Sequence, residues 1–297
     1  MSSPIIPEGH RLFARYAHAP NALGYCGPAA AATLQAVACG RDPSDAAARR
    51  AIAAEADASS EGAQILDVAS IARRFSGAWP YQQLIARLVE AQQGSPAGSL
   101  DPLSVEVGRA YWTGHALTAQ IDAQAFGRAL LAHVTAQAGR YWSHLTPDLL
   151  EEATPTHAFH VLGVYPWSRL LATGLPEPLH VLDSCRIRVG RVLAIEESEE
   201  LDTEREGSAG ARSTRRLLVD VDTLSWDGRA LGITPTRPES VEWTTPDGTF
   251  TGPVRPGDLV AVHWGFACDV LTAAEADILL AGTQAQVEAT NRRLLRS

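Results

Sequence analysis

Among the side chains of this 297-residue chain that can bind a metal or attack a bond, six stand out by their context: Cys26, His157, His160, Asp183, Cys185 and His263. A deprotonated thiol is a nucleophile and a soft-metal ligand, and an imidazole is a base or a ligand near neutral pH. Their order divides them into two sets. In the first, Cys26 stands in Tyr25-Cys-Gly-Pro-Ala-Ala-Ala-Ala-Thr-Leu34, just ahead of a helix predicted from about Pro28 to Cys39, with Gly40 as its exit. The unpaired N–H groups and the dipole at such a terminus favour a thiolate. His157 and Asp183 follow in the order thiol, base, orienting carboxylate. His160 is the alternative base, since the two histidines face opposite sides of a predicted strand, and Asn21 is the candidate donor to an oxyanion. In the second set, Cys185 opens a predicted strand over Val189–Ile195, and His263 lies inside another, Gly257-Asp-Leu-Val-Ala-Val-His-Trp-Gly-Phe-Ala-Cys-Asp269. Both also read as plain core residues, Cys185 as a small apolar side chain and His263 as a satisfied histidine.

The elements that must position these groups change character along the chain. Ser44 is the predicted cap of a helix to about Ala58, and further helices are expected over Ala63–Phe75, from Pro80, from Asp101 toward Trp112, and over Asp122–Ala138. The Pro80 helix has Leu84, Ile85, Leu88 and Val89 as its buried stripe. Around Thr156 the pattern turns to alternation. Thr156–Pro166 and Leu179–Asp183 read as strands, then Val189–Ile195, Leu217–Val221 and Ser240–Thr244, with turns at Asp227-Gly and Asp247-Gly. Glu196 to Gly210 reads as a solvated loop or hairpin tip. Thr272-Ala-Ala-Glu275 is a capping box for a terminal helix with Ala276, Leu279, Leu280, Thr283, Val287 and Leu294 as its stripe. The expected architecture is α+β: a mostly helical N-terminal domain (1–183) followed by a small OB-like β-barrel with a C-terminal helix (184–297).

Composition excludes several classes. A net charge of -9 argues against a nucleic-acid partner, which needs clustered cations to neutralise phosphates. No apolar run reaches the length of a membrane span, and the N-terminus lacks a basic region followed by an apolar one, so a cytoplasmic protein without a membrane partner is expected. Cys26, Cys39, Cys185 and Cys268 form no C-x-x-C pair, which argues against a disulfide framework or a structural zinc site. Cys39 and Cys268 read as core.

The residues around Cys185 and His263 carry a resemblance. Cys185-Arg-Ile-Arg-Val-Gly-Arg-Val-Leu-Ala-Ile195 looks like the start of the hydrogenase assembly chaperone family (HypC/HupF), and Gly257–Ala276 resembles that family's Gly-Asp-x-Val-x-Val-His-x-Gly-Phe-Ala signature. The likeness covers roughly Cys185 to Leu295. It departs from the family in that Cys185 is internal and Val189 replaces a proline. It implies a barrel, metal ligation by Cys185 with His263 in support, and iron as the dicyano-carbonyl unit destined for nickel–iron hydrogenase. The implied role is that of a chaperone-like accessory protein whose partners are hydrogenase maturation proteins or the large-subunit precursor. The Cys26 segment and His157-Ala-Phe-His-Val-Leu-Gly-Val164 resemble papain-like peptidases of the bacteriocin-processing type, although Pro20-Asn21 occupies the region of their oxyanion glutamine. This second resemblance implies a cysteine hydrolase or acyltransferase with a Cys26–His157–Asp183 triad.

Overall fold

The computed structural model describes residues 6–44, 49, 52–53, 67–136, 147–200, 212–245 and 248–296. The chain is mixed α+β, with helices filling the N-terminal part and a closed five-strand barrel following them. The first helix, α1 (Glu8–Ala22), was not anticipated, yet it is the central one. Leu12, Phe13, Ala14, Tyr16 and Ala17 are all buried. Pro7 precedes it and Pro20 sits in its last turn, so the sequence reads as punctuation where the chain is helical. Helix α2 (Ala31–Ala38) starts three residues later than expected, and α3 (Val68–Arg73) is capped by Asp67, whose carboxylate accepts from Ser70 N at 2.8 Å. The predicted Ser44–Ala58 helix, and the first part of the predicted Ala63–Phe75 helix, fall largely outside the described residues. Helices α4 (Ala78–Gln93), α5 (Val105–Trp112), α6 (Ala116–Gln120) and α7 (Ala123–Ala136) follow. In α4, Leu84, Ile85 and Val89 are buried and Leu88 packs against the same core.

Two predicted strands are helical. Thr156 caps a short turn, His157–Phe159, by accepting from Phe159 N at 3.4 Å, and the chain continues as a π-helix over His160–Val164. Leu179–Asp183 lies inside α8 (Pro176–Cys185), which has proline in its first turn. Its buried residues, Pro178, Val181, Leu182 and Cys185, keep a helical period that short alternation disguised. Cys185 is therefore the last residue of a helix, three before the first strand, rather than the mouth of a strand.

The barrel strands run β1 (Arg188–Glu200), β2 (Arg212–Val221), β5 (Arg237–Glu242), β9 (Phe266–Leu271), β8 (Leu259–His263), and β8 closes back on β1. Neighbours are antiparallel except β5 and β9. Two small hairpins, β3 (Leu224–Trp226) with β4 (Leu231–Ile233) and β6 (Thr244–Thr245) with β7 (Gly248–Thr249), lie outside it. Alternate residues Leu217, Val219 and Val221 meet Val241, Val260 and Val262 in the interior. Residues 196–200, expected as loop, extend β1, and 201–211 lie outside the described residues. The single strand expected over 257–269 is a hairpin. Trp264 (φ 50) and Gly265 (φ 75) both take left-handed backbone, as a two-residue hairpin turn requires.

Barrel and helices share one core. Leu12, Phe13 and Tyr16 of α1 belong to the same buried cluster as Ala261, Cys268 and Leu271 of β8 and β9. The terminal helix α9 (Ala273–Leu294) has the expected capping box at Thr272 and Glu275, and buries Ala276, Leu279, Thr283 and Val287. Leu280 is exposed instead, and Gln286, Ala289 and Thr290, absent from the expected stripe, are buried. Among the described residues no helix is long and apolar enough to cross a membrane.

Candidate metal-binding cavity

The junction between helices and barrel holds an open-mouthed cavity of about 420 Å³, and both cysteines singled out in the sequence line it, with His157, His160 and His263. Four segments bring them there. The Gly24–Gly27 loop after α1 carries Cys26. The turn and π-helix after Thr156 carry His157 and His160. The end of α8 carries Cys185, and β8 carries His263. The β8–β9 turn adds Trp264 to the lining, where its indole packs at a tilt on Tyr25 with ring centroids 4.1 Å apart.

His157, Cys185 and His263 offer one ligand atom each, all within 4.8 Å of one another. His157 Nε2 lies 3.9 Å from Cys185 Sγ. The two imidazole rings meet edge to face at 5.2 Å. All three residues are at least nine-tenths covered.

Donor and acceptor counting assigns the protons, since every hydrogen bond needs one of each. His263 Nδ1 is 2.8 Å from the carbonyl of Tyr16, which can only accept, so Nδ1 carries the hydrogen. Nε2 is then a bare lone pair, and it makes no hydrogen bond although His263 is 1% exposed. His157 Nε2 is 2.9 Å from the carbonyl of Cys185, so here Nε2 is the donor and Nδ1 the acceptor. Nδ1 receives the Tyr111 hydroxyl at 2.9 Å, and the Tyr111 oxygen in turn receives His160 Nδ1–H at 2.6 Å. One chain of protons thus runs from His160 through Tyr111 and His157 to the backbone of Cys185.

Burial keeps the whole cavity neutral. It lowers His263 to about 4 and His160 to about 3, and it drives His157 well below the ordinary histidine range, helped by its two histidine neighbours. The same desolvation pushes the Cys185 thiol up to about 12. The Trp264 indole N–H works against that rise without overcoming it, and makes no hydrogen bond of its own. Cys26 is also raised, by burial and then by the nearby Cys185. At neutral pH the lining is two thiols and three uncharged imidazoles, a donor set suited to a soft or borderline metal.

The remaining predicted residues lie elsewhere or do other work. Asp183 does not reach His157. Its Oδ1 accepts from Arg186 Nε at 3.0 Å and from Leu224 N at 2.8 Å, because α8 turns it toward the β3 hairpin. The Asn21 amide donates to the carbonyls of Cys26 (2.8 Å) and Pro28 (2.6 Å), while its oxygen accepts from Ala30 N, so it fastens the Cys26 loop and has no free donor for an oxyanion. Cys39 and Cys268 sit outside the cavity lining. Tyr111 was missed as a polar group. It lies 46 and 49 residues from the histidines it joins, and nothing in its local sequence marks it.

Searches of curated proteins and of solved structures each found no match. A family model matches residues 6–297, which spans both the helical part and the barrel. The chain belongs to that family, described as a family of unknown function (DUF6390).

Proposed function

We propose that this protein is an accessory protein of nickel–iron hydrogenase maturation that holds an iron dicyano-carbonyl unit as cargo through Cys185, with His263 as supporting ligand. The observation that carries the reading is the buried Nε2 of His263, which makes no hydrogen bond and belongs to a residue whose ligand atom lies within 4.8 Å of those of Cys185 and His157. The Tyr16 carbonyl fixes that tautomer, which is how metal-binding histidines are ordinarily oriented. Loading breaks the Cys185 S–H bond, sends the proton to solvent and forms a sulfur–iron bond; burial, which raises the thiol, opposes this step, and rising pH favours it. His157 joins as a third ligand only if its Nε2 releases the Cys185 carbonyl. On this reading the barrel is the OB-like module of assembly chaperones, and the partners are maturation proteins or the large-subunit precursor.

A second reading, a papain-like cysteine hydrolase or acyltransferase, is favoured by one observation: Cys26 and His157 line the same cavity. Tyr111 would then orient the imidazole in place of Asp183. Against it stand the raised Cys26 thiol and the engagement of His157 Nε2 with a carbonyl.

Infrared spectroscopy of the protein purified anaerobically from cells expressing the maturation machinery separates the two. Cyanide and carbon monoxide bands are expected, and Cys185→Ala and His263→Ala should remove or shift them. Spectra without these bands, together with alkylation of Cys26 faster than that of Cys39 at neutral pH, would transfer the assignment to the hydrolase.

A further inference from the structure

A larger cavity, about 740 Å³, lies away from the thiols and is lined by residues of the Trp167–Leu170 turn region, the β3–β4 hairpin and the end of α9. Five guanidinium groups line it, from Arg169, Arg229, Arg292, Arg293 and Arg296. Among the described residues only two carboxylates do, Glu151 and Glu152, so their lining carries five positive charges less two, or +3, on a chain whose net charge is -9.

Both carboxylates are already engaged. Arg293 Nε donates to Glu152 at 2.5 Å and Arg296 Nη1 to Glu151 at 2.7 Å. Asp227 does not line the cavity, but its charge offsets part of that of Arg229, while its Oδ1 accepts from the backbone N–H groups of Arg229 (2.8 Å) and Ala230 (2.7 Å). Arg293 is further pinned by the Leu162 carbonyl at 2.9 Å and Ser168 Oγ at 3.2 Å, which holds its charge at the cavity wall. The half-buried Arg169 is lowered to about 10, by burial and then by the charge of Arg293 beside it. Like charges collected in a concave, partly desolvated surface repel one another until an anion neutralises them.

We propose that this groove binds a small molecule carrying a chain of phosphates. Its volume lies in the range of small-molecule sites. The planar forks of arginine match phosphate oxygens two at a time. A diphosphate or triphosphate brings about three to four negative charges, which balances the lining, whereas one carboxylate leaves most of it uncompensated. Trp226 lines the same space and offers an aromatic side chain against which a base can pack. The site is independent of the thiol cavity, so either assignment can fail without the other.

Calorimetric titration of the full chain with ATP and with inorganic tripolyphosphate, at low ionic strength, tests the proposal. One ion per chain is expected, bound more weakly as salt rises. Arg229→Gln and Arg292→Gln, both exposed positions, should each weaken binding about tenfold with an unchanged melting temperature. Arg255→Gln, exposed and outside the groove, should have no effect. Tighter binding of ATP assigns the base to Trp226, and equal affinities assign recognition to the phosphates alone. No saturable binding at millimolar concentration, or an equal loss in all three variants, would overturn the site.

Discussion

At the scale of single residues, the cavity depends on a hydroxyl that bridges two histidines. Tyr111 is fully buried, and burial raises its own ionisation well above the usual phenol range, so it stays a neutral donor-acceptor. Tyr111→Phe keeps the ring and its contacts with Trp112 and Tyr81 but strands Nδ1 of both His157 and His160. Each stranded buried group costs about 1–3 kcal/mol, so the variant should lose at least about 2 kcal/mol in chemical denaturation. A drop below about 0.5 kcal/mol would mean that water replaces the hydroxyl and that the proton chain is not structural. The residue scale is also where sequence reading came closest to the site. Cys26, His157, Cys185 and His263 were all singled out by type and context, and all four line one cavity. Asp183 and Asn21 were chosen on order along the chain, and order does not determine direction. A helical turn at Asp183 and a loop clasped by Asn21 send those side chains elsewhere.

At the scale of elements, the β8–β9 turn is the device that shapes the cavity mouth. A tryptophan in left-handed backbone is unfavourable by about 1–2 kcal/mol. Here it is offset by the ring contact with Tyr25 and by the hydrogen bond from the Trp264 backbone N–H to the Ser184 carbonyl at 2.9 Å, which ties the turn to the end of α8. The adjoining Gly265 has φ 75, and an added Cβ would meet nothing within 4 Å. Gly265→Ala should therefore cost about 1 kcal/mol from backbone conformation alone, seen as a lowered denaturation midpoint with an unchanged slope. Gly77 is a different case, because a Cβ there would stand 2.4 Å from His160 Cε1, so its smallness serves the site itself. The turn also explains a misread element. Val-His-Trp-Gly-Phe lacks the Asn-Gly or Asp-Gly pair that marks most such turns, and an unbroken apolar run reads as one strand.

At the scale of the molecule, burial of uncharged histidines makes stability depend on pH in one direction. His18 and His263 are lowered to about 4 and His160 to about 3, and His157 is held well below the ordinary histidine range, all chiefly by desolvation. In the unfolded chain each titrates near 6.5. Between about pH 6.5 and 4 the unfolded chain binds more protons than the folded one, so stability falls as pH falls through that window. Above 6.5 these histidines are neutral in both states and contribute no slope. The melting temperature should be flat from pH 8 to 7 and decline steeply toward pH 4, with about four protons taken up on unfolding at pH 5 by potentiometry. Uptake of fewer than two would mean that the histidines are solvated in the folded state. The same scale shows why the helical part and the barrel meet as they do: α1 lies in both, holding His263 through the Tyr16 carbonyl and packing its apolar face against β8 and β9.

The amino-acid sequence by itself determined the kinds of chemistry available, the change from helices to barrel, and the local signals that stop and start elements. The Thr272–Glu275 capping box and the alternation of Leu217, Val219 and Val221 are examples, because capping and pleat periodicity act within a few residues. Only the tertiary structure decided that 157–164 and 176–185 are helical, since short apolar runs satisfy either period until a partner surface selects one. It alone decided that two sets of residues, read as two separate sites, form one. His263 and Tyr16 meet across 247 positions, and burial, which is non-directional, leaves no mark in the local sequence of either.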